Sequence, residues 1–226
     1  MVIKSLEKLD KKTLRERIYE EVVRLIISGE LPSGGWVDEK LVIKRLRVSR
    51  TPFREAIGTL AKGGLIEIKP YRGFFVRSFS RSETADLYEL YKQLESFAVE
   101  LAVPQMSDRD IRRFENMLVE AVAALQRGDI TTYAMRDREF YEAIARQSGN
   151  SALIDALARF ALQMQLCGTI TSVSREFAER TAHGYDDIIQ ALKARDTPRA
   201  VFLVRGLVSH AQEAVLSGFP KEAMDR

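Results

Sequence analysis

The chain has 226 residues, 46% of them hydrophobic and 30% charged, a make-up that belongs to globular proteins and excludes disordered or membranous ones. Its single cysteine, Cys167, excludes an intramolecular disulfide and fits a reducing compartment. The net charge of +3 is unevenly spread: residues 1–78 hold 17 Lys/Arg against 10 Asp/Glu, and the remainder holds 18 against 22. A basic front on an acidic body suits only the first third to a polyanion.

No apolar h-region opens the chain and no run approaches the 18 or more apolar residues of a membrane span, so a cytoplasmic location away from membranes is expected. From Leu14 to Ser28, apolar residues Leu14, Ile18, Val22, Leu25 and Ile26 recur at helical spacing, and Gly29 offers a stop. The loop "GELPSGGW" follows. Asp38 can cap a short second helix over 39–47, with Leu41, Leu46 and Val48 facing inward. Ser49 can cap a third helix from Arg50 to about Lys62, its buried stripe being Phe53, Ile57 and Leu60 and its end Gly63-Gly64. Then "LIEIK" and "GFFVRSF" flank "PYRG" as a hairpin with Pro70 and Gly73 at its tip. Three helices and a two-stranded wing make a winged helix-turn-helix.

After Phe79, "SRSETADL" reads as a short polar link, and everything beyond it is helical, near 82–103, 108–127, 129–147, 151–171, 173–194 and 197–217. Ser107 and Asp110 form a capping box, and Asp196 can cap the last helix before Pro198. The fold class expected is mainly α: a winged helix-turn-helix over 1–78 and an all-helical bundle over 79–226.

Arg50 and Arg54 stand four residues apart and therefore on one side of the third helix, away from its apolar stripe. A helix that presents Ser49, Arg50, Thr51 and Arg54 at its N-terminal turns can enter a major groove. There arginine bonds guanine O6 and N7 with both arms, and hydroxyls and N–H groups take phosphate oxygens. Pro52 sits early in the helix, where its missing N–H costs little. At the wing, Arg72 lies beside Gly73, which lets the backbone approach DNA closely. Lys40, opening the second helix, can reach the phosphate backbone on the same side.

The run "ISGELPSGGWVDEKLVIKRLRVSRTPFREAIGTLAKGGLIEIKPYRGFFV" resembles the DNA-binding domain of the GntR family of bacterial transcription regulators along its whole length. The resemblance implies a homodimer on a short palindromic DNA operator, and DNA contacts from Lys40, Ser49, Arg50, Thr51, Pro52, Arg54, Arg72 and Gly73. Lys40 departs from the family, which often has arginine there; lysine holds a phosphate but lacks the two-armed fork.

Residues 82–217 resemble the effector domain of the FadR branch, the FCD type, through "DLYELYKQLESFAVELA", "DREFYEAIARQSGNSALIDAL" and "DDIIQALKARD". Such domains are helical bundles around a pocket for a small, usually acidic, metabolite, and many hold a divalent metal with one Asp and three His. The positions implied for those ligands here carry Asp137, Tyr141, Tyr185 and Leu207. Phenol is a poor ligand for the usual divalent ions and leucine is none, so no metal and no other cofactor are expected. The two histidines, His183 and His210, fall two and three residues off the expected positions and read as surface or packing residues. Tyr91 stands where the family often has arginine, and Gln163, Gln165 and Thr169 line the fourth bundle helix. The effector site expected is Tyr91, Asp137, Tyr141, Gln163, Tyr185 and Leu207. It suits a small-molecule effector that is less acidic or amphipathic, as in fatty-acyl-responsive members of the branch. Tyr141 and Tyr185 can equally be core packing with hydroxyls satisfied locally.

With two histidines, one cysteine and no nucleophile–base spacing or phosphate-cradling glycine motif, no enzyme is read in the chain. The reading is a metabolite-responsive transcription regulator acting as a repressor. Its alternative is an effector-independent DNA-binding protein whose helical domain serves only dimerisation.

Overall fold

The structure is a computed structural model that describes residues 13–168 and 175–219, apart from the side chains of Thr131, Gln165 and Arg175. Two compact units emerge, one ending at Ser78 and the other beginning at Phe79.

In the first unit, α1 (Leu14–Ile27) starts at a reciprocal capping box between Thr13 and Glu16, which satisfies two otherwise orphaned N–H groups. Its buried face is Ile18, Val22, Leu25 and Ile26; Leu14, expected in that stripe, is exposed because it sits in the first turn beyond the core. Asp38 accepts from the N–H groups of Lys40 and Leu41 and so starts α2 (Glu39–Leu46). The inward residue of α2 is Val42, not Leu41. One residue of displacement turns a side chain about 100° around a helix, and this leaves Leu41 well exposed while Leu46 and Val48 are half-buried. Arg47, in the left-handed region at φ 52°, ends α2, and a three-residue turn leads into α3 (Arg50–Lys62). There Phe53, Ala56, Ile57 and Leu60 are wholly buried.

The wing has three strands rather than two. Strand β1 (Trp36–Val37) pairs antiparallel with β3 (Gly73–Val76), which pairs antiparallel with β2 (Ile66–Lys69), giving the order β1-β3-β2. Trp36 faces Phe75, and Ile66 faces Val76. The ring of Phe53 meets that of Phe74 edge-on with centroids 5.7 Å apart, fixing the wing to α3.

The second unit opens with α4 (Arg81–Ala102). The stretch expected to be a polar link forms its first turns, because Ser80 and Glu83 make a capping box. A single 3-10 turn (Val103–Gln105) holding Pro104 separates α4 from α5 (Asp108–Gln126), which the Ser107–Asp110 box caps as expected. Then come α6 (Ile130–Gln147), α7 (Ser151–Gly168), α8 (Arg175–Lys193) and α9 (Thr197–Ser217), the last capped by Asp196. The far end expected for the α7 segment and the start expected for α8, together with Thr169, lie outside the described residues. Helix α4 packs against α6, α7 and α9, while α8 packs against α5 and α9. No strand occurs in this unit among the described residues.

Candidate functional site

At the start of α3, Arg50 and Arg54 keep 76% and 68% of their side-chain surface exposed. Each has its Nε near one oxygen of Glu39, at 3.8 and 3.9 Å. Those separations exceed a hydrogen bond, and exposed ion pairs of this kind contribute only ~0–1 kcal/mol. Glu39 thus leaves both guanidinium forks available. Ser49 holds the N-cap position, yet its side chain accepts no capping bond. Thr51 and Lys40 are exposed, and Pro52 is half-buried in the first turn.

On the wing, Arg72 is exposed and lies 6.0 Å from the Phe75 ring centroid; Lys69 lies 4.9 Å above the same ring. The turn between them closes through the Arg72 N–H and the Lys69 carbonyl at 3.0 Å, with Tyr71 fully exposed at φ 61°. Gly73 has φ 100°, and a Cβ there would stand 3.2 Å from the Trp36 indole nitrogen. The wing's own packing therefore requires glycine at this position.

Within the bundle, α6 carries Tyr133, Asp137 and Tyr141 at four-residue spacing, hence on one face. Helix α4 carries Tyr88, Tyr91 and Glu95 at spacings of three and four, and α8 contributes Tyr185. The Tyr185 hydroxyl donates a hydrogen bond to Asp137 Oδ1, and Tyr91 hydrogen-bonds Glu95. Tyr133, Tyr141 and Tyr88 lie close enough to Asp137 for its charge to raise their pKa values further, on top of burial, which is the main cause. Burial pushes Asp137 up to about 6 against the restraining Tyr185 bond, and pushes Glu95 up to about 8. Glu95 is only 1% exposed and its Oε2 has no hydrogen-bond partner.

Of the six residues expected at this site, Tyr91, Asp137, Tyr141 and Tyr185 come together. Gln163 is buried on α7. Leu207 on α9 packs against Gly184, where a Cβ would meet its Cδ1 at 2.0 Å. Sequence reasoning missed Glu95, Tyr88 and Tyr133, although their three- and four-residue spacing to Tyr91 and Asp137 carries the signal. A divalent metal does not fit this donor set: Tyr185 occupies the Asp137 oxygen, burial raises both phenols well above their ordinary pKa, and Leu207 fills its position with hydrocarbon. Among the described residues no three His, Cys, Asp or Glu side chains gather as a metal set. His183 is exposed, and His210 stacks on Phe177 with centroids 4.7 Å apart.

Along α4, beside its buried stripe, runs a second row: Leu87, Leu90, Leu94, Phe97 and Leu101. Leu90 and Phe97 are 46% and 44% exposed, and the others are half-buried. Alternating steps of three and four are the spacing of a helix–helix seam.

A winged helix with an exposed arginine helix, followed by a helical bundle with a polar interior, defines a DNA-binding regulator with a sensing domain. The family model for "Bacterial regulatory proteins, gntR family" matches residues 14–76, and that for the FCD domain matches residues 86–210. The chain belongs to the gntR family of bacterial transcription regulators, in the group that carries an FCD domain. It is 26% identical over 195 residues to the uncharacterized HTH-type transcriptional regulator YdhC of Bacillus subtilis (strain 168), covering 85% of this chain and 87% of that protein. With the Nta operon transcriptional regulator of Aminobacter aminovorans it shares 29% over 156 residues, covering 68% and 73%. The solved structure of E. coli McbR/YncC has the same fold, with a TM-score of 0.82 at 22% identity over 91% of this chain and 98% of that one. These domains and relatives are those of transcription regulators, not of enzymes. No helix of the described residues is long and apolar enough to cross a membrane.

Proposed function

We propose that the protein is a cytoplasmic, homodimeric repressor that grips two half-sites of a short palindromic operator and is released or tightened by a small molecule bound in its bundle. The observation that carries the reading is the pair Arg50 and Arg54, exposed on a helix whose opposite face is wholly buried. Arg50 and Arg54 read base edges; Lys40, Ser49 and Thr51 hold phosphates; Pro52 starts the reading helix; Arg72 reaches the backbone or minor groove from a wing that Gly73 shapes. The α4 row supplies the dimer contact, since a second copy presents the same seam and covers Leu90 and Phe97.

Replacing Arg50 by alanine removes a two-armed base contact, worth about 1–3 kcal/mol, and relaxes preference at one base pair. Anisotropy titration against the selected operator and its single-base variants reads both effects. Unchanged affinity together with unchanged base preference refutes the assignment.

A further inference from the structure

The interior of the bundle is rich in acceptors and poor in positive charge. Glu95 and Asp137 face one another's field across five phenols, each of which responds to one or both carboxylates. No basic side chain among the described residues lies close enough to either carboxylate to lower its pKa. Arg136 and Arg138, the sequence neighbours of Asp137, turn away to Glu120, Glu139 and Glu142. An anion entering here meets two acids and no counter-charge.

Glu95 adds a second, independent observation. Its side chain is almost entirely buried, Tyr91 engages it, and its Oε2 is left without a partner. Buried carboxylate oxygens are ordinarily paired, because leaving one bare costs free energy. Asp137 also has one oxygen engaged by Tyr185 and stands on the face of α6 turned to the same interior. A group that brings N–H donors and positive charge satisfies both acids at once, and the phenol rings suit a cation as well.

We propose that this cluster binds an organic cation, an amine or ammonium metabolite whose nitrogen sits against Glu95 Oε2 and Asp137, with the tyrosines around its apolar part. The proposal deepens the regulator reading and rests on its placement of the effector in the bundle.

The test uses the full chain and two matched series of probes: 2-phenylethylamine, 2-phenylethanol and phenylacetate, then butylamine, butanol and butyrate. Calorimetric titration of the unmodified protein should show the amines binding at least about tenfold more tightly than the alcohols and acids. Glu95→Gln keeps the shape, removes the buried acid and should weaken amine binding by about tenfold or more; Asp137→Asn is the second variant and should act in the same direction. Absence of amine binding, equal or tighter binding of phenylacetate or butyrate, or amine binding unmoved by both variants overturns the proposal. Operator affinity measured with saturating probe separates the two readings. Amine bound at Glu95 with operator affinity unchanged leaves the cation site standing and defeats effector control. A carboxylate that binds at the cluster and shifts operator affinity does the reverse.

Discussion

Glu95→Gln should make the bundle more stable, and the gain should grow with pH. The carboxyl is buried on α4, with Tyr91 on its own helix, Asp137 and Tyr141 approaching from α6, and Arg205 of α9 bonded to neighbouring Ser96 and Gln93 rather than to it. The unfolded chain loses this proton near 4.5, whereas the folded chain keeps it up to about 8. Over that interval the folded state binds more protons, so stability is fully present below the lower value and is lost as pH rises through the upper one. The slope is about 1.4 kcal/mol per pH unit while the difference lasts. The full linkage is on the order of 5 kcal/mol, and relaxation around the buried charge reduces it, to about 2–4 kcal/mol. Asp137, raised to about 6, adds a slope of the same sign below pH 6 in both proteins and so largely cancels in their difference. Urea unfolding of both proteins, followed by far-UV circular dichroism from pH 5 to 9, measures that difference, while the fluorescence of the single tryptophan, Trp36, follows the wing separately. The curves should coincide near pH 5 and separate by at least about 2 kcal/mol by pH 8.5. A constant difference across the range would mean that Glu95 ionises normally inside the bundle, and the account of the cluster as desolvated would fail.

Gly184→Ala places a Cβ 2.0 Å from Leu207 Cδ1, the far end of a half-buried side chain, while alanine regains about 1 kcal/mol of helix propensity; the net change should lie within about 1 kcal/mol of zero, and a loss above about 2 kcal/mol would mean that Leu207 has no room to turn aside. Tyr71→Gly relieves a positive φ at an exposed turn and should stabilise the wing by about 0.5–1 kcal/mol, read from Trp36 emission. Strain kept at an exposed position points to use, so operator affinity should fall in the same variant; unchanged affinity would remove Tyr71 from the interface. The proposed dimer should sediment at twice 25.7 kDa, and Leu90→Glu combined with Phe97→Glu should turn it into a species of 25.7 kDa and weaken binding to a two-half-site operator; a persistent dimer would mean that the α4 row is not the seam.

The elements that carried strong periodicity and capping residues were legible in the sequence. Helix α3 announces itself through Phe53, Ile57 and Leu60 on one face and arginines on another, and the Ser107–Asp110 box marks its helix start to the residue. Strand β1 was not legible, because two residues have no alternation; Trp36 and Val37 become a strand only by pairing with Phe75 and Phe74. The phase of α2 was misread for a similar reason: in eight residues, Leu41 and Val42 are equally good inward candidates until the neighbouring helices choose. Ser80 and Glu83 did carry a capping-box signal, but the surrounding polar residues made the segment look like a link. Within the bundle, the tyrosines at the expected metal positions were visible, whereas Glu95 was not. A glutamate in a sequence reads as surface, and only the packing of α6 and α9 against α4 shows that this one has nowhere to reach water.

Substitution at the implied metal positions changes more than the metal. A divalent ion held by one aspartate and three imidazoles leaves a net positive centre, which attracts a carboxylate. Here the aspartate remains as Asp137, the imidazoles are two phenols and a leucine, and a second acid, Glu95, stands in the same interior. The same helical frame then encloses a centre that is neutral when Glu95 and Asp137 are protonated and negative when they ionise. Ligand preference follows that charge and not the fold, which is why likeness in fold to other FCD domains does not transfer an acidic effector to this one. A cation would also reverse the energetic penalty of the site, since it pairs the Glu95 oxygen that the free protein leaves bare. Binding energy spent in that way is available only in arrangements that bring α4 and α6 around the ligand. If the proposed cation favours one packing of the bundle over another, the coupling would run through α4, which carries both Glu95 and the row at Leu90 and Phe97.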